Sequence, residues 1–240
     1  ILRFTYVIVF LFLCMIGYEG FFLSQKRDEI INNTYNSRLD SFADRVIRGD
    51  ILSSDGQILA QTQQQEDGTE LRSYPYGDLF AHVIGYSSMG KTGLEAQGNF
   101  YMLSSHINLM EQVMREFSGQ KNPGDDLYTT LDLELQKTAS DALGDRKGAV
   151  VVMEPDTGRI LAMVSKPAYD PNQVQNQWDS LRTDPESRLL NRVTQGVYPP
   201  GSTFKIITLL EFMREYPEEY RNFHYDCNGV LEQGDYTIQC

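Results

Sequence analysis

Positive charge is scarce in this chain. Against 33 Asp and Glu stand 21 Lys and Arg, a formal net charge of −12 over 240 residues. A duplex nucleic-acid binder takes much of its affinity from Lys and Arg on phosphates, so this balance argues against that class. Cysteine is scarce too, with three in all. Cys14 lies in an apolar stretch and reads as a packing residue. Cys227 and Cys240 lie near the end, and the sequence leaves open whether they pair in an oxidising compartment or stay as thiols. The three histidines, His82, His106 and His224, are far apart and lack ligand spacing, so no metal is implied, and no cofactor either. Internal repeats are absent. Hydrophobic residues make up 41% and charged residues 22%, an ordinary globular balance with room for one domain and an accessory module.

What the chain has at its start is a long apolar run. Residues 4–18 carry no charge, and the apolar character resumes after Glu19 and Gly20 at Phe21, Phe22 and Leu23. A membrane-spanning helix needs about 20 mostly apolar residues, which residues 1–23 supply if Glu19 and Gly20 lie near the interface, with Tyr18, Phe21 and Phe22 as an aromatic belt. A cleaved signal peptide is the second reading, but its apolar region is usually shorter and no A-x-A-like site follows. A buried core helix is the third. Arg3 is the sole positive residue before the run, so loop charge says little about orientation. The chain begins with Ile1 rather than Met and ends at Cys240 inside a patterned stretch, so both native ends are expected to lie beyond it.

Residues 24–44 are polar with scattered apolar positions (Ile30, Ile31, Leu39, Phe42, Ala43) and read as a juxtamembrane helix or linker. Residues 46–60 read as a hairpin turning at Asp55-Gly56, between Ile51-Leu52 and Ile58-Leu59. Residues 61–69 read as a polar loop. Residues 103–117 have helical spacing, with Ile107, Met110, Val113, Met114 and Phe117 on one face. The Gly/Pro/Asp-rich stretch 119–126 is the best linker candidate. Beyond it, residues 127–131 read as a strand, and Asp132 as the cap of a helix through Leu135, Ala139 and Leu143. Residues 148–153 and 160–165 are apolar runs joined by Pro155-Asp156-Thr157-Gly158, a second hairpin. Neither run alternates cleanly, which predicts cover on both faces. The expected class is α+β, with helices on a mostly antiparallel sheet.

An acyl-transfer enzyme needs a nucleophile beside a base. S-x-x-K at a helix start supplies both, because positions i and i+3 face the same way and the helix N-terminus offers free N–H groups to a developing oxyanion. The pattern occurs three times, as Ser88…Lys91, Ser118…Lys121 and Ser202…Lys205. The first two sit among Gly and Pro and read as turns. Ser202 instead follows Pro199-Pro200-Gly201 and precedes Phe204, Ile206, Ile207, Leu209, Leu210, Phe212 and Met213. These cover nearly the whole circumference, which predicts a buried helix and a Lys205 whose pKa falls through desolvation. On the pattern alone, the plainer account outweighs the catalytic one: Ser202 as a helix cap and Lys205 reaching to solvent along its stem.

The surrounding blocks change that balance. Residues 191–205, Asn-Arg-Val-Thr-Gln-Gly-Val-Tyr-Pro-Pro-Gly-Ser-Thr-Phe-Lys, closely resemble the active-site segment of penicillin-binding proteins. Tyr128-Thr-Thr-Leu-Asp132 resembles the strand-to-helix turn of the transpeptidase domain, residues 148–167 its first hairpin, and Asp170-Pro-Asn172 follows in the family's order. Arg48-Gly-Asp-Ile51, Asp55-Gly56 and Leu59-Ala60 are similar to the N-terminal module of class B members. Tyr74-Pro-Tyr-Gly77, His82-Val-Ile-Gly-Tyr86 and Lys91-Thr-Gly-Leu-Glu95 are similar to the short-pedestal, penicillin-binding protein A type. The resemblance runs through nearly the whole chain. It implies a transmembrane signal anchor at 1–23, an N-terminal pedestal or dimerisation-like module at 24–125, and the N-terminal part of a penicillin-recognising, β-lactamase/transpeptidase-like domain at 126–240. It implies a single-pass cell-membrane protein with its catalytic domain outside the cytoplasm, serving peptidoglycan and cell-wall synthesis in cell shape or division. Ser202 would be the nucleophile of D,D-transpeptidation, with its backbone N–H in the oxyanion hole, and Lys205 the general base. Peptidoglycan stem peptides would be substrates and β-lactams acylating inhibitors. A membrane glycosyltransferase of the shape, elongation, division and sporulation family would be the partner.

One departure limits the claim. The family uses a later S-x-N box and a K-[ST]-G strand, yet no Ser follows Ser202 and no Lys follows Lys205. Tyr220-Arg-Asn222 and Lys91-Thr92-Gly93 imitate these motifs at the wrong places, and Arg48-Gly49-Asp50 reads as a structural turn rather than an adhesion signal. The expectation is a C-terminally truncated chain unable to complete the reaction alone. The alternatives are a β-lactam sensor or hydrolase, against which the module at 46–117 argues, and a non-catalytic scaffold of a cell-wall synthesis complex.

Overall fold

A computed structural model describes residues 2–31, 43–65, 68–234 and 236–239. Most of the juxtamembrane stretch, with Leu39 and Phe42, and also Cys240 lie outside the described residues. The chain falls into two compact units, residues 1–196 and 197–240, and each is described by itself.

The first unit opens with a helix over Leu2–Ile31. Its segment Arg3–Gln25 is long and apolar enough to cross a membrane, and its side chains are uncovered. At 1.5 Å rise per residue that segment measures about 35 Å, which matches a hydrocarbon core of about 30 Å.

The next module is built on short strands. β1 is Val46–Ile47, β2 Ile51–Leu52, β3 Ile58–Gln64, β4 Glu70–Ser73, β5 Asn122–Pro123 and β6 Leu127–Tyr128. The hairpin expected around Asp55-Gly56 is present: β2 pairs antiparallel with β3, and Gly56 takes the positive φ that the turn requires, 81°. The polar loop expected at 61–69 is strand in its first four residues, because Gln61–Gln64 pair with Ser73–Glu70, while Gln65, Gly68 and Thr69 lie outside the strands as expected. A run of Gln and Thr has no apolar alternation to reveal it, but its backbone groups complete the ladder all the same. Residues 122–128 are no free linker either. β5 pairs parallel with β1 and β6 parallel with β2, giving the sheet order β4-β3-β2-β6.

Glycine makes this weave feasible. A Cβ on Gly49 would overlap the Asp125 carbonyl, and one on Gly124 would overlap the Met102 carbonyl. The core beneath joins Ile51, Leu59, Tyr74, Phe80, Ile84, Met102 and Leu131.

The helix expected over 103–117 starts later, at Leu109–Phe117, where the Asn108 side chain accepts from Met110 N. Its apolar face points outward: Met110, Met114 and Phe117 are 69%, 64% and 88% exposed, while Gln112 and Arg115 are the partly covered positions.

Further on, Asp132 caps the helix Leu133–Leu143 as expected, accepting from Leu135 N at 2.8 Å. This helix lies on the hairpin β7 (Gly148–Met153) and β8 (Ile160–Lys166) through Ala139, Leu143, Ala162 and Val164. Cover on both faces is found for the middle of β8 but not for β7, where Val151 and Met153 are exposed. The sheet has two strands with one helix against it, so among the described residues of this unit one face of β7 is left uncovered. Fully buried Gln136 binds the hairpin to the module, donating to Leu79 O and Met163 O and accepting from Met163 N, each at 2.8 Å. A second join is an aromatic cluster of Tyr86, Tyr169, Trp178, Val174 and Leu181. A third is Asn172, whose side-chain amide pairs with both backbone groups of Tyr74, just past the end of β4.

The second unit holds a 3-10 turn at Gly201–Thr203, a helix at Phe204–Glu215, and the antiparallel pair β9 (Val230–Gln233) and β10 (Tyr236–Gln239). The buried helix expected here is not found. Phe204, Ile206, Ile207, Leu209 and Leu210 are all more than half exposed. A unit of 44 residues with one helix and one hairpin has too little chain to wrap a helix that is apolar all round. What packing there is lies at the far end, where Phe212 meets Tyr216 and Phe223 with ring centroids at 5.1 and 4.9 Å.

Candidate active site

Pro199, Pro200 and Gly201 deliver the chain into the turn that carries Ser202. Gly201 takes a positive φ of 54°, and Thr203 bonds back to the Pro200 carbonyl through its N–H at 3.2 Å and its hydroxyl at 2.6 Å. Helix Phe204–Glu215 follows directly, and no side chain caps its start. Ser202 is therefore not the helix cap of the plainer account; it sits one residue before the position that flanks the helix, Thr203. Ser202 and Lys205 are both exposed, and among the described residues neither side chain has a hydrogen-bonding partner. The spacing brings them to the same end of one helix without joining them.

The two other S-x-x-K matches are turns, as expected. Ser118 closes the helix Leu109–Phe117 by donating to Met114 O at 2.8 Å, and Lys121 pairs with Glu70 at 2.9 Å. Ser88 lies in a bend beside Met89 and Gly90, both at positive φ. Tyr220-Arg-Asn222 lies in turns after the helix. Cys227 is disulfide-bonded, and Cys14 is the free cysteine among the described residues.

The segment that leads toward the nucleophile is fixed in the first unit. Arg192, 5% exposed, donates its guanidinium to Ser187 O and Glu186 O, and its N–H to Ser165 Oγ on β8. Asn191 Nδ2 donates to His82 O, and His82 Nε2 is 2.7 Å from Arg188 O. Burial pushes the His82 pKa down, with the Arg192 charge adding to it against the pull of the Arg188 carbonyl. His82 thus holds residues 188–191 as a neutral, buried ring stacked edge-on to Tyr169.

A polar cluster that sequence reasoning missed lies inside the module. Fully buried Glu95 receives Arg48 Nε at 2.7 Å and Arg72 Nε at 2.7 Å, with Tyr74 OH at 3.3 Å. Arg48 also donates to Asn99 Oδ1 and to Glu95 O, and Arg72 to Gly49 O and Thr62 Oγ1. Burial alone would push the Glu95 carboxyl up; the two guanidiniums overcome this and hold it below the usual carboxylate range. Burial lowers the Arg48 pKa while Glu95 opposes it, and burial with the Glu95 charge drives the Tyr74 phenol up. Two motif look-alikes find their use here. Arg48-Gly49-Asp50 is folded into this cluster and the sheet, and Lys91-Thr92-Gly93 is the turn that launches the helix Gly93–Gln97 carrying Glu95. Arg72 gave no signal in sequence; it shares a four-residue strand with Glu70 and lies in no motif.

Comparison with known proteins bears on both regions. Residues 148–237 match the penicillin binding protein transpeptidase domain, and residues 48–127 match the penicillin binding protein A dimerisation domain. A peptidoglycan D,D-transpeptidase PbpA of Mycolicibacterium smegmatis is 39% identical over 178 residues, which is 67% of this chain and 36% of that protein. The D,D-transpeptidase domain of a peptidoglycan glycosyltransferase from Eggerthella lenta superposes with a TM-score of 0.67 at 36% identity, covering 81% of this chain and 43% of that one. Penicillin-binding protein A of M. tuberculosis, solved as its penicillin G acyl-enzyme, gives a TM-score of 0.68 at 32% identity over 80% of this chain and 48% of that one. The chain belongs to the class B penicillin-binding proteins, and its residues 48–127 are similar to the module of the penicillin-binding protein A type. It spans about a third of the length of the M. smegmatis relative.

Proposed function

We propose that this chain carries the anchor, pedestal and nucleophile-bearing part of a peptidoglycan D,D-transpeptidase, divided as residues 1–23, 24–125 and 126–240. The observation that carries the proposal is Ser202 with Lys205 at the uncapped start of helix Phe204–Glu215, inside a stretch that matches the transpeptidase domain. Ser202 Oγ attacks the carbonyl carbon of the penultimate D-Ala as Lys205 takes its proton. The backbone N–H of Ser202 stabilises the oxyanion. The C–N bond to the terminal D-Ala breaks, and that amine leaves with a proton. An amine of a neighbouring stem peptide then attacks the acyl ester, forms the cross-link and frees Ser202. A β-lactam acylates the same hydroxyl, a reading supported by the M. tuberculosis relative having been solved as a penicillin G acyl-enzyme complex.

The apolar segment Arg3–Gln25 supports a single-pass anchor. A catalytic part outside the cytoplasm and a membrane glycosyltransferase as partner belong to the same reading and rest on the resemblance to class B members alone. The absent S-x-N and K-[ST]-G boxes support a partial active site in these 240 residues. Two measurements with fluorescent penicillin test this. The chain alone is expected to stay unlabelled. Joined to the remaining C-terminal part of the M. smegmatis relative, it is expected to label, and Ser202→Ala to abolish the signal. Labelling that survives Ser202→Ala in a folded fusion refutes the assignment of the nucleophile. An adduct that hydrolyses within seconds would favour a hydrolase instead.

A further inference from the structure

The helix Leu109–Phe117 is built inside out. Its sequence separates apolar from polar residues along its length, and such helices normally turn the apolar stripe to the core. Here Gln112 and Arg115 are the partly covered positions, while Leu109, Met110, Val113, Met114 and Phe117 are 40–88% exposed. Both ends are closed by side chains, with Asn108 accepting from Met110 N and Ser118 donating to Met114 O, so this is a finished helix and not a frayed one.

Its place in the fold indicates what covers it. β5 follows the helix directly and pairs with β1, the first strand after the N-terminal helix. Lys121 Nζ donates to Ala43 O at 2.9 Å, so the end of Leu109–Phe117 sits where the chain arrives from that N-terminal helix. Residues 32–42 are all that separate Ile31 from Ala43, a contour of at most about 40 Å.

We propose that the outward face of Leu109–Phe117 lies in the headgroup–acyl boundary of the bilayer that holds the N-terminal helix, so that the module meets the lipid at a second point. The proposal rests on residues 1–23 being a membrane anchor. A second copy of the chain is the weaker occupant. The helix is nine residues, about 14 Å long, and a stable interface takes about 800 Å² from each partner. A lipid surface sets no such threshold, because the anchor keeps the helix at high effective concentration beside it. The helix carries Glu111 and Glu116 against Arg115 alone, so its affinity comes from apolar insertion and not from attraction to anionic lipid.

The test uses the full chain, one copy per nanodisc of phosphatidylcholine, with and without brominated acyl chains. Tryptophan is placed by Phe117→Trp, by Tyr18→Trp in the anchor, and by Lys137→Trp on the exposed side of another helix, each read above the constant signal of Trp178. The expected result is that bromolipid cuts the added emission of Phe117→Trp to about half or less, quenches Tyr18→Trp, leaves Lys137→Trp unchanged, and acts equally when phosphatidylglycerol is added. Quenching of Tyr18→Trp without quenching of Phe117→Trp overturns the docking and leaves the anchor standing. If neither is quenched, the anchor reading falls and the docking with it. Dependence on phosphatidylglycerol, or a blue shift of Phe117→Trp confined to discs holding two copies and insensitive to bromine, also overturns it, the latter in favour of a second copy.

Discussion

Removing the charge of Glu95 is the sharpest probe of the module. Glu95→Gln keeps the volume but strands two guanidiniums, Arg48 and Arg72, whose side chains are 11% and 8% exposed. Glu95 takes hydrogen bonds from both at 2.7 Å, and each bond to a charged group contributes about 1.5–3 kcal/mol net. Breaking a buried ion pair from one side costs about 3–5 kcal/mol, since the remaining charge is left uncompensated. For a compact unit of this size, residues 1–196, 1 kcal/mol moves the melting temperature by about 2–4 °C, so a fall of about 6 °C or more is expected. The assay is thermal unfolding of the detergent-solubilised chain, read by hydrogen exchange in β2–β4. A double-mutant cycle with Arg48→Met supplies the control. That substitution should cost markedly less in the Glu95→Gln background than in the parent, because it removes one of the stranded charges. A melting temperature lowered by less than about 2 °C, which is under about 1 kcal/mol, or strictly additive losses, would refute the reasoning. The pH dependence has a fixed sign. The folded carboxyl is held below its unfolded value, so its contribution is complete above about pH 4.3 and is lost as pH falls through the folded pKa.

Two further outcomes follow from the same geometry. Burial lowers the His82 pKa, so the unfolded chain takes up a proton first; stability is full above about pH 6.5 and declines as pH falls toward the folded value, a slope that His82→Gln should flatten in urea titrations at pH 5 and 7.5. Asp132→Ala removes the cap of Leu133–Leu143 and should cost about 1 kcal/mol, seen as roughly fivefold faster amide exchange in its first turn, while Asp132→Asn should retain most of the protection.

Much of this fold could be read from local chemistry. Asp55-Gly56 announced its turn, Asp132 its helix, and the two runs at 148–166 their hairpin, because each signal and its consequence lie within a few residues. The Ser202 segment was legible for the same reason, as punctuation by Pro199, Pro200 and Gly201 before an apolar helix. What failed was inference about distant partners. Periodicity over 103–117 showed that the helix has two unlike faces but not which one turns inward. The apolar run after Ser202 implied cover that this unit does not contain. Arg72 and Glu95 are 23 residues apart and Arg48 is 47 from Glu95, so nothing local announces that all three share one buried cluster.

The parallel pairings also decide how the module bears tension. The chain comes in through β1 and β2 and goes out through β5 and β6, each pair running the same way. A pull between Ala43 and Thr129 therefore slides neighbouring strands along one another instead of peeling them apart. The hydrogen bonds across both pairs, together with the bonds from Gly49 N to Met102 O and from Gly124 N to Ile47 O, must yield together and not one after another. A protein tethered at one end and engaged with a stretched polymer at the other would find in this stitch a clamp that carries load across the module while the hairpin between its ends stays unstrained.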